Sequence, residues 1–331
     1  MTSPTLTAIQ TQLNFYANPS VAILGGIGNI FVTIIFSQQH RNACSMYLVI
    51  AAIFNTFYLA FNRVLQYFPF YYLDGTVRAF FLCKLRSYLP TVLGQVAKTM
   101  IVFACIDRYM ITSNRATFRA FSTTKRAKYL IVFSIIFWPL VSCHIATETT
   151  IIRGICGTFG VYATIFSIFT IIVIGSIPPI TMSICGYLTY RNMRHIRVRI
   201  QPAVNNTNEG NVNIRQRDRD LLVIVIYEIF IYVLTASLYP IVLVETIITN
   251  NTMSSKTAQH LQIESFLLFM AYLLLSVNSA AACYIYLILS KSFRRDFKQL
   301  FIYTYRKLTR GAEVVTHHGP TRTVKIRNTQ V

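Results

Sequence analysis

Several ionisable residues lie inside long apolar segments, where the behaviour of a charge depends on its partners. Asp107 and Arg108 are adjacent near the end of one segment, Lys98 lies earlier in that segment, and Glu228 lies in another. A charge inside a membrane is costly and is usually paired or faces a protected cavity. The sequence therefore predicts an internal polar network, and we expect a Lys98–Glu228 contact within it.

The residue types that perform catalysis or bind metal do not occur in recognisable patterns. The chain contains no HExxH, no GxSxG and no paired acids within an apolar segment. Its seven cysteines lack CxxC spacing, and most lie in apolar runs, where a free cysteine behaves as a small hydrophobic residue. We expect no enzymatic activity, no metal and no cofactor.

The apolar segments are long enough to position these residues within a membrane. An uncharged apolar run of about twenty residues can cross the hydrocarbon as a helix, and helices satisfy every backbone hydrogen bond there. The predicted fold class is all-α, a seven-transmembrane helix bundle. Its predicted spans are 19–37, 46–67, 80–109, 129–145, 161–190, 220–248 and 261–289.

The basic residues indicate an orientation for these spans. The chain has a net charge of +20, and most of its 31 basic residues fall in alternate connections and in the segment after the seventh span. An excess of Lys and Arg marks the cytoplasmic side of membrane proteins. We expect the N-terminus outside, the C-terminus inside and contact with anionic lipids. The charge is thereby explained without a nucleic-acid partner.

Four regions follow from this division. Residues 1–18 are expected to form an extracellular tail, 19–290 the membrane domain, 291–305 an amphipathic helix on the inner membrane face, and 306–331 a disordered basic tail. The amphipathic helix is predicted from apolar residues that recur at helical spacing among basic ones: Phe293, Phe297, Leu300 and Phe301.

Several short motifs narrow the class of membrane protein. Asp107-Arg108-Tyr109 ends the third span, and Cys83 begins it about 37 Å away, one membrane thickness. Other marks are Gly28-Asn29, Asn55, Trp138, Cys156, Pro179, Tyr187, Pro240, Asn278-Ser279, Tyr286 and Phe293-Arg294. With this set, residues 20 to 302 resemble the rhodopsin-like family of G-protein-coupled receptors. The resemblance implies a plasma-membrane receptor that binds an extracellular ligand and activates a heterotrimeric G protein.

The resemblance also implies roles for individual residues. Cys83 and Cys156 would form a disulfide bond on the outer side, where oxidation is favoured. Asp107, Arg108 and Tyr109 would couple to the G protein, with Asp220 tethering Arg108 at rest. Alternatively, Asp220 is part of a solvated helix start. Pro179 and Pro240 would kink their helices, and Tyr187 and Tyr286 would meet in the active state or anchor the helices at the interface.

The chain departs from the family at three positions. Asn55 stands where most members have Asp, which weakens the family's sodium site because an amide attracts a cation less than a carboxylate does. Leu238 replaces the family's Trp before Pro240, and Ala282-Cys283 replaces Asn-Pro before Tyr286. These departures leave open a divergent receptor that signals and a decoy that does not.

The outer end of the bundle indicates the class of ligand. Pro90 stands where amine receptors of the family carry Asp, and the seventh span has no Lys to bind retinal. Mixed charges near an aromatic mouth favour a neuropeptide, unless they only solvate the rim. The candidate ligand residues are Arg86, Gln95, Glu148, Glu245 and Glu264.

A channel or transporter is the alternative from another class, with Lys98 and Glu228 lining a polar path. The sequence shows no inverted repeat and no filter-like segment, so we prefer the receptor.

Overall fold

The computed structural model describes residues 4–38, 42–67, 77–152, 155–200, 223, 226–252 and 257–316. Within these ranges seven helices are long and apolar enough to cross a membrane, and we number them as spans one to seven. They are Thr5–Ser37, Ala43–Asn62, Phe80–Thr112, Thr124–Glu148, Gly160–Met193, Ile226–Thr249 and Ala258–Leu289. The predicted all-α seven-helix fold is confirmed, and the chain is a multi-pass membrane protein.

Several spans belong to longer helices. The second span lies in helix Ala43–Tyr67 and the third in helix Val77–Thr112. The first is continuous through Pro4–Gln12, a π-helical turn at Leu13–Ala17, and Asn18–Ser37. Most of the residues that we expected to form a separate N-terminal tail are therefore helical and extend the first span.

The fifth and sixth spans are interrupted near their prolines. The fifth consists of Gly160–Phe169, a π-helical segment Thr170–Ser176, and Ile177–Ile200, which begins just before Pro179. The sixth bends at Ser237 before helix Leu238–Thr252, in which Pro240 lies. Proline removes a backbone donor and crowds the preceding turn, so each break lies where its proline prevents a regular helix.

Two short elements lie between the spans. Helix Ala116–Phe121 connects the third and fourth spans. Strands β1 (Thr150–Ile152) and β2 (Ile155–Gly157) form an antiparallel hairpin between the fourth and fifth, with Ile151 opposite Cys156.

Helix Lys291–Thr316 follows the seventh span. Its aromatic face packs on the first span, with ring centroids 5.1 Å apart for Phe31 and Phe297 and 5.7 Å apart for Phe36 and Phe293. The predicted amphipathic helix is therefore present. It continues past residue 305 into a stretch that we expected to be disordered, and the rest of the predicted tail lies outside the described residues.

The main buried core lies between spans one, two, three, four and seven. Its central residues include Val32, Leu48, Met100 and Tyr286, all at most 2 % exposed. Small residues allow the first and seventh spans to pack closely, as is common between membrane helices. A Cβ atom on Gly28 would lie 2.9 Å from the Cβ of Cys283.

Candidate functional site

The third span carries candidate functional residues at both ends. We call the end that contains Asp107 and Arg108 the Arg108 end, and the end that contains Cys83 the disulfide end. Asp107 and Arg108 are each 2 % exposed. Burial of two charged side chains requires polar partners, and residues in the neighbouring connections supply some of them.

Asp107 is bound by the connection between the third and fourth spans. Ser122, which follows the short helix Ala116–Phe121, donates its hydroxyl to Asp107 Oδ1 at 2.5 Å. Tyr109 contacts Phe118 in the same short helix, with ring centroids 6.2 Å apart. The connection therefore packs against two residues of the Asp107-Arg108-Tyr109 motif and fixes the Asp107 carboxylate.

Arg108 binds the start of the second span. Its Nη2 donates to Asn42 Oδ1 at 3.2 Å, and the same oxygen accepts the backbone N–H of Cys44 at 3.1 Å. Asn42 thus caps the second helix and binds Arg108 with one atom. The predicted partner Asp220 lies outside the described residues, so the tether stays a prediction.

Glu228 and Tyr286 connect the sixth and seventh spans. The Tyr286 hydroxyl donates to Glu228 Oε1 at 2.6 Å, and the side chains are 1 % and 7 % exposed. Our expectation of a Lys98–Glu228 contact was wrong, because the rotation of the sixth span directs the carboxylate toward the seventh. Helix rotation cannot be read from one sequence whose apolar residues surround the whole helix.

Lys98 instead faces an aromatic ring. Its ammonium lies 5.6 Å from the ring centroid of Tyr232, a cation–π distance. The Tyr232 hydroxyl donates to the carbonyl oxygen of Ile174 at 3.1 Å. That carbonyl lacks a helical donor because residues 178 and 179, which would donate in an α-helix and a π-helix respectively, are both proline. Tyr232 therefore connects the third and sixth spans to the break in the fifth.

The two tyrosines that the resemblance paired lie in different environments. Tyr286 is buried, whereas Tyr187 is 64 % exposed on the outside of the bundle. The structure does not bring them together. For Tyr187, the placement fits its alternative role as an interfacial anchor.

The disulfide end is closed by a covalent bond. Cys83 and Cys156 form a disulfide, with Cα atoms 5.7 Å apart. The bond joins the start of the third span to strand β2 of the hairpin. The predicted disulfide pairing is confirmed, and the hairpin is held over this end of the bundle.

Two of the five candidate ligand residues contact the same histidine. Glu245 of the sixth span and Glu264 of the seventh each have an oxygen 3.2 Å from Nε2 of His260. Arg86 and Glu148 are exposed, and Gln95 is 3 % exposed within the third span. The structure therefore places a polar group at the disulfide end that includes His260, which we did not predict.

Of the positions that depart from the family's pattern, Asn55 and Cys283 are buried, whereas Leu238 and Ala282 are half-buried. Asn55, in place of the sodium-binding Asp, is 7 % exposed. Tyr239 lies next to the position of the missing Trp, and its hydroxyl is 3.4 Å from that of Tyr272. Asn29 donates to the carbonyl of Ser279 at 3.1 Å.

Sequence reasoning missed four residues of these clusters: Asn42, Ser122, Tyr232 and His260. The first two lie in connections, where spacing gives no contact information. His260 and Glu264 are four residues apart on one helix, a spacing that places both on one face, and this signal was available.

Comparisons with known proteins do not indicate a family. No protein-family model matches the chain, and no curated protein matches it significantly.

Proposed function

We propose that this chain is a divergent G-protein-coupled receptor of the rhodopsin-like kind, located in the plasma membrane with its Arg108 end in the cytosol. The observation that carries the proposal is the placement of two features on one helix. Asp107 and Arg108 are buried at one end of the third span, and the Cys83–Cys156 disulfide lies at the other. Such an arrangement suits a protein that receives a ligand at one face and a partner at the other.

The contacts at the Arg108 end suit a switch. Asp107 and Arg108 are held in part by the neutral side chains of Ser122 and Asn42. Hydrogen bonds of charged groups to neutral side chains are individually worth about 1.5–3 kcal/mol. A few such bonds can be exchanged when helices move, so this end could open to admit a G protein.

The sixth span has a bend that can act as a hinge, and a hydrogen bond holds it to the seventh span. Its bend at Ser237 lies between the Tyr286–Glu228 hydrogen bond and the disulfide end. Movement about the bend would carry the Arg108-end half of the span away from the seventh and would have to break that hydrogen bond. Hinge motions of this kind are common in switching proteins.

The disulfide end supports a peptide as the ligand. Arg86 and Glu148 are exposed there. Glu245 lies near the end of the sixth span and Glu264 near the start of the seventh, at the same end of the bundle. Charges of both signs can bind the termini and side chains of a short peptide, and electrostatic complementarity of this sort speeds association.

The experiment measures G-protein activation in cells that express the chain with an N-terminal tag, using sensors for each G-protein class and a neuropeptide library. Asp107→Asn removes the charge that faces Ser122, and we expect it to raise basal signalling several-fold. Adding Arg108→Ala should abolish that signal. Lys125→Ala is the matched control, because Lys125 is an exposed basic residue at the same end.

The same cells distinguish the channel or transporter. Current or ion flux without a response from any sensor, at equal surface expression, would refute the receptor and favour the alternative. An Asp107→Asn signal that survives Arg108→Ala would also count against the proposed switch.

A further inference from the structure

The strongest unassigned cluster of side chains lies at the disulfide end, between the sixth and seventh spans. It consists of Glu245, His260 and Glu264, whose possible ligand atoms all lie within 4.8 Å of one another. We propose that this trio binds a zinc ion that bridges the two spans. The proposal concerns metal binding and does not depend on the signalling function.

The distances fit a metal better than a proton. Nε2 of His260 lies 3.2 Å from Glu245 Oε1 and 3.2 Å from Glu264 Oε1. Two ligands of a tetrahedral zinc ion, each at 2.0–2.1 Å, are about 3.3 Å apart. A single proton on Nε2 can make one well-aligned hydrogen bond, whereas a metal ion binds the ring nitrogen and both carboxylates together.

A second observation points to the same ligand. Oε2 of Glu245 is buried and has no hydrogen-bond partner within the described part of the chain. A buried carboxylate oxygen without a donor is unfavourable unless a cation offsets its charge. A zinc ion beside Oε1 would neutralise this carboxylate.

The surrounding structure orients the ligands. The Thr257 hydroxyl accepts the backbone N–H of His260 at 3.2 Å and so fixes the first turn of the seventh span. Thr249 donates its hydroxyl to Glu264 Oε1 at 3.0 Å. Hydrogen bonds to ligand atoms commonly orient metal sites. His260 and Glu264 lie one turn apart on one helix, and Glu245 approaches from the other.

The donor set selects the class of ion. One imidazole and two carboxylates suit zinc, while calcium and magnesium prefer oxygen ligands alone and in larger number. Three protein ligands leave a fourth position for water or a ligand group. Bound zinc would fix the disulfide-end halves of the sixth and seventh spans to each other.

The test measures zinc binding to the purified full-length protein in nanodiscs at pH 7.4 by competition with a fluorescent chelator. The reference protein carries His317→Ala and His318→Ala, since the adjacent histidines near the C-terminus could bind zinc on their own. We expect one site, with zinc affinity at least tenfold lower in Glu245→Gln, in Glu264→Gln and in His260→Ala. The Glu→Gln variants preserve side-chain shape, and a thermal melt without metal confirms that each variant is folded.

Glu148→Gln and His144→Ala are the matched controls, because they remove an acid and a histidine elsewhere at the disulfide end. Neither should change the affinity. Zinc should raise the unfolding temperature of the reference protein and not that of Glu245→Gln, and calcium or magnesium should raise neither. Equal zinc binding by the reference protein and all three trio variants would overturn the proposal, as would a site that binds calcium equally well.

Discussion

At the Arg108 end the charged side chains are buried and hydrogen-bonded to residues outside their own helices, whereas at the disulfide end the polar side chains are partly exposed and a covalent bond holds the hairpin. Asp107, Arg108 and Glu228 are each at most 7 % exposed. His260 and Glu245 are 28 % and 38 % exposed at their side chains. The core is also unequal, because the large buried cluster that includes Leu48, Met100 and Tyr286 lies in the Arg108 half.

The difference indicates that the two halves are stabilised by different means. Toward the disulfide end, a much smaller buried cluster contains Tyr58, Leu59 and Ala280. A half with little packed core needs a crosslink to hold its connections in place, and one with buried charges needs hydrogen bonds that are satisfied internally. A substitution that removes the crosslink, the close packing or a buried hydrogen bond should therefore lower the stability of the half that contains it.

Removal of the disulfide should have the largest effect. Cys83→Ser or Cys156→Ser releases a loop closed over a sequence separation of 73, for which the loop-entropy relation gives about 4 kcal/mol. This is an upper bound, because the membrane already restricts the unfolded chain. We expect a lower thermal midpoint and reduced surface expression. Cys143→Ser, which changes an exposed free cysteine, is the control, and a midpoint equal to that of the control would show that the hairpin does not stabilise this half.

Close packing of the first span gives the next effect. A Cβ on Gly25 would overlap Ala280 and lie 2.7 Å from Leu59 Cδ1, whereas one on neighbouring Gly26 meets nothing within 4 Å. Gly25→Ala should therefore destabilise the protein by about 1–3 kcal/mol, as overpacked cores do. Gly26→Ala should be neutral or slightly stabilising. Thermal melts of both variants test this, and equal midpoints would mean that the spans separate at little cost.

The sequence predicts those parts of the molecule that depend on segment length and local composition. The seven spans, the amphipathic helix from Lys291 and the breaks near Pro179 and Pro240 are of this kind. The Cys83–Cys156 bond came from the resemblance. The sequence did not indicate that residues 4–17, the expected N-terminal tail, continue the first helix, which they can do because a helix extends from its neighbour at no nucleation cost.

Contacts between spans could not be predicted, because they depend on the rotation of each helix. Glu228 could face Lys98 or Tyr286 from the sequence alone, and the structure gives Tyr286. Likewise, the partner of Asp107 is Ser122, which lies in a connection. A different backbone path in that connection would place Ser122 out of reach of Asp107. Two of the three residues in the trio at the disulfide end were predicted, since both glutamates were candidates and the histidine between them was not.

Loss of the Tyr286 hydroxyl tests how much a buried hydrogen bond stabilises the Arg108 end. Tyr286→Phe leaves Glu228 buried without this donor, which costs about 1–3 kcal/mol. If the hydrogen bond holds the sixth span to the seventh, basal G-protein signalling should also rise. Glu228→Gln should have a smaller effect, because the amide oxygen still accepts the hydroxyl. A stability loss without any change in signalling would assign the pair a structural role only.

The smallest effect is expected from Tyr232, which binds the break in the fifth span. Tyr232→Phe removes the donor to the Ile174 carbonyl, and one hydrogen bond contributes about 1 kcal/mol. The matched control is Tyr187→Phe, which changes an exposed tyrosine of the fifth span. Thermal melts should show a lower midpoint for Tyr232→Phe alone.

A double-mutant cycle identifies the cause of that loss. Replacing Pro178 and Pro179 together by alanine restores the backbone N–H groups whose absence leaves the Ile174 carbonyl to Tyr232. The cost of Tyr232→Phe should therefore shrink in that background, because the carbonyl then has a second donor. An undiminished cost would mean that the Tyr232 hydroxyl stabilises the bundle by something other than its bond to Ile174, because phenylalanine keeps the ring that lies beneath the Lys98 ammonium.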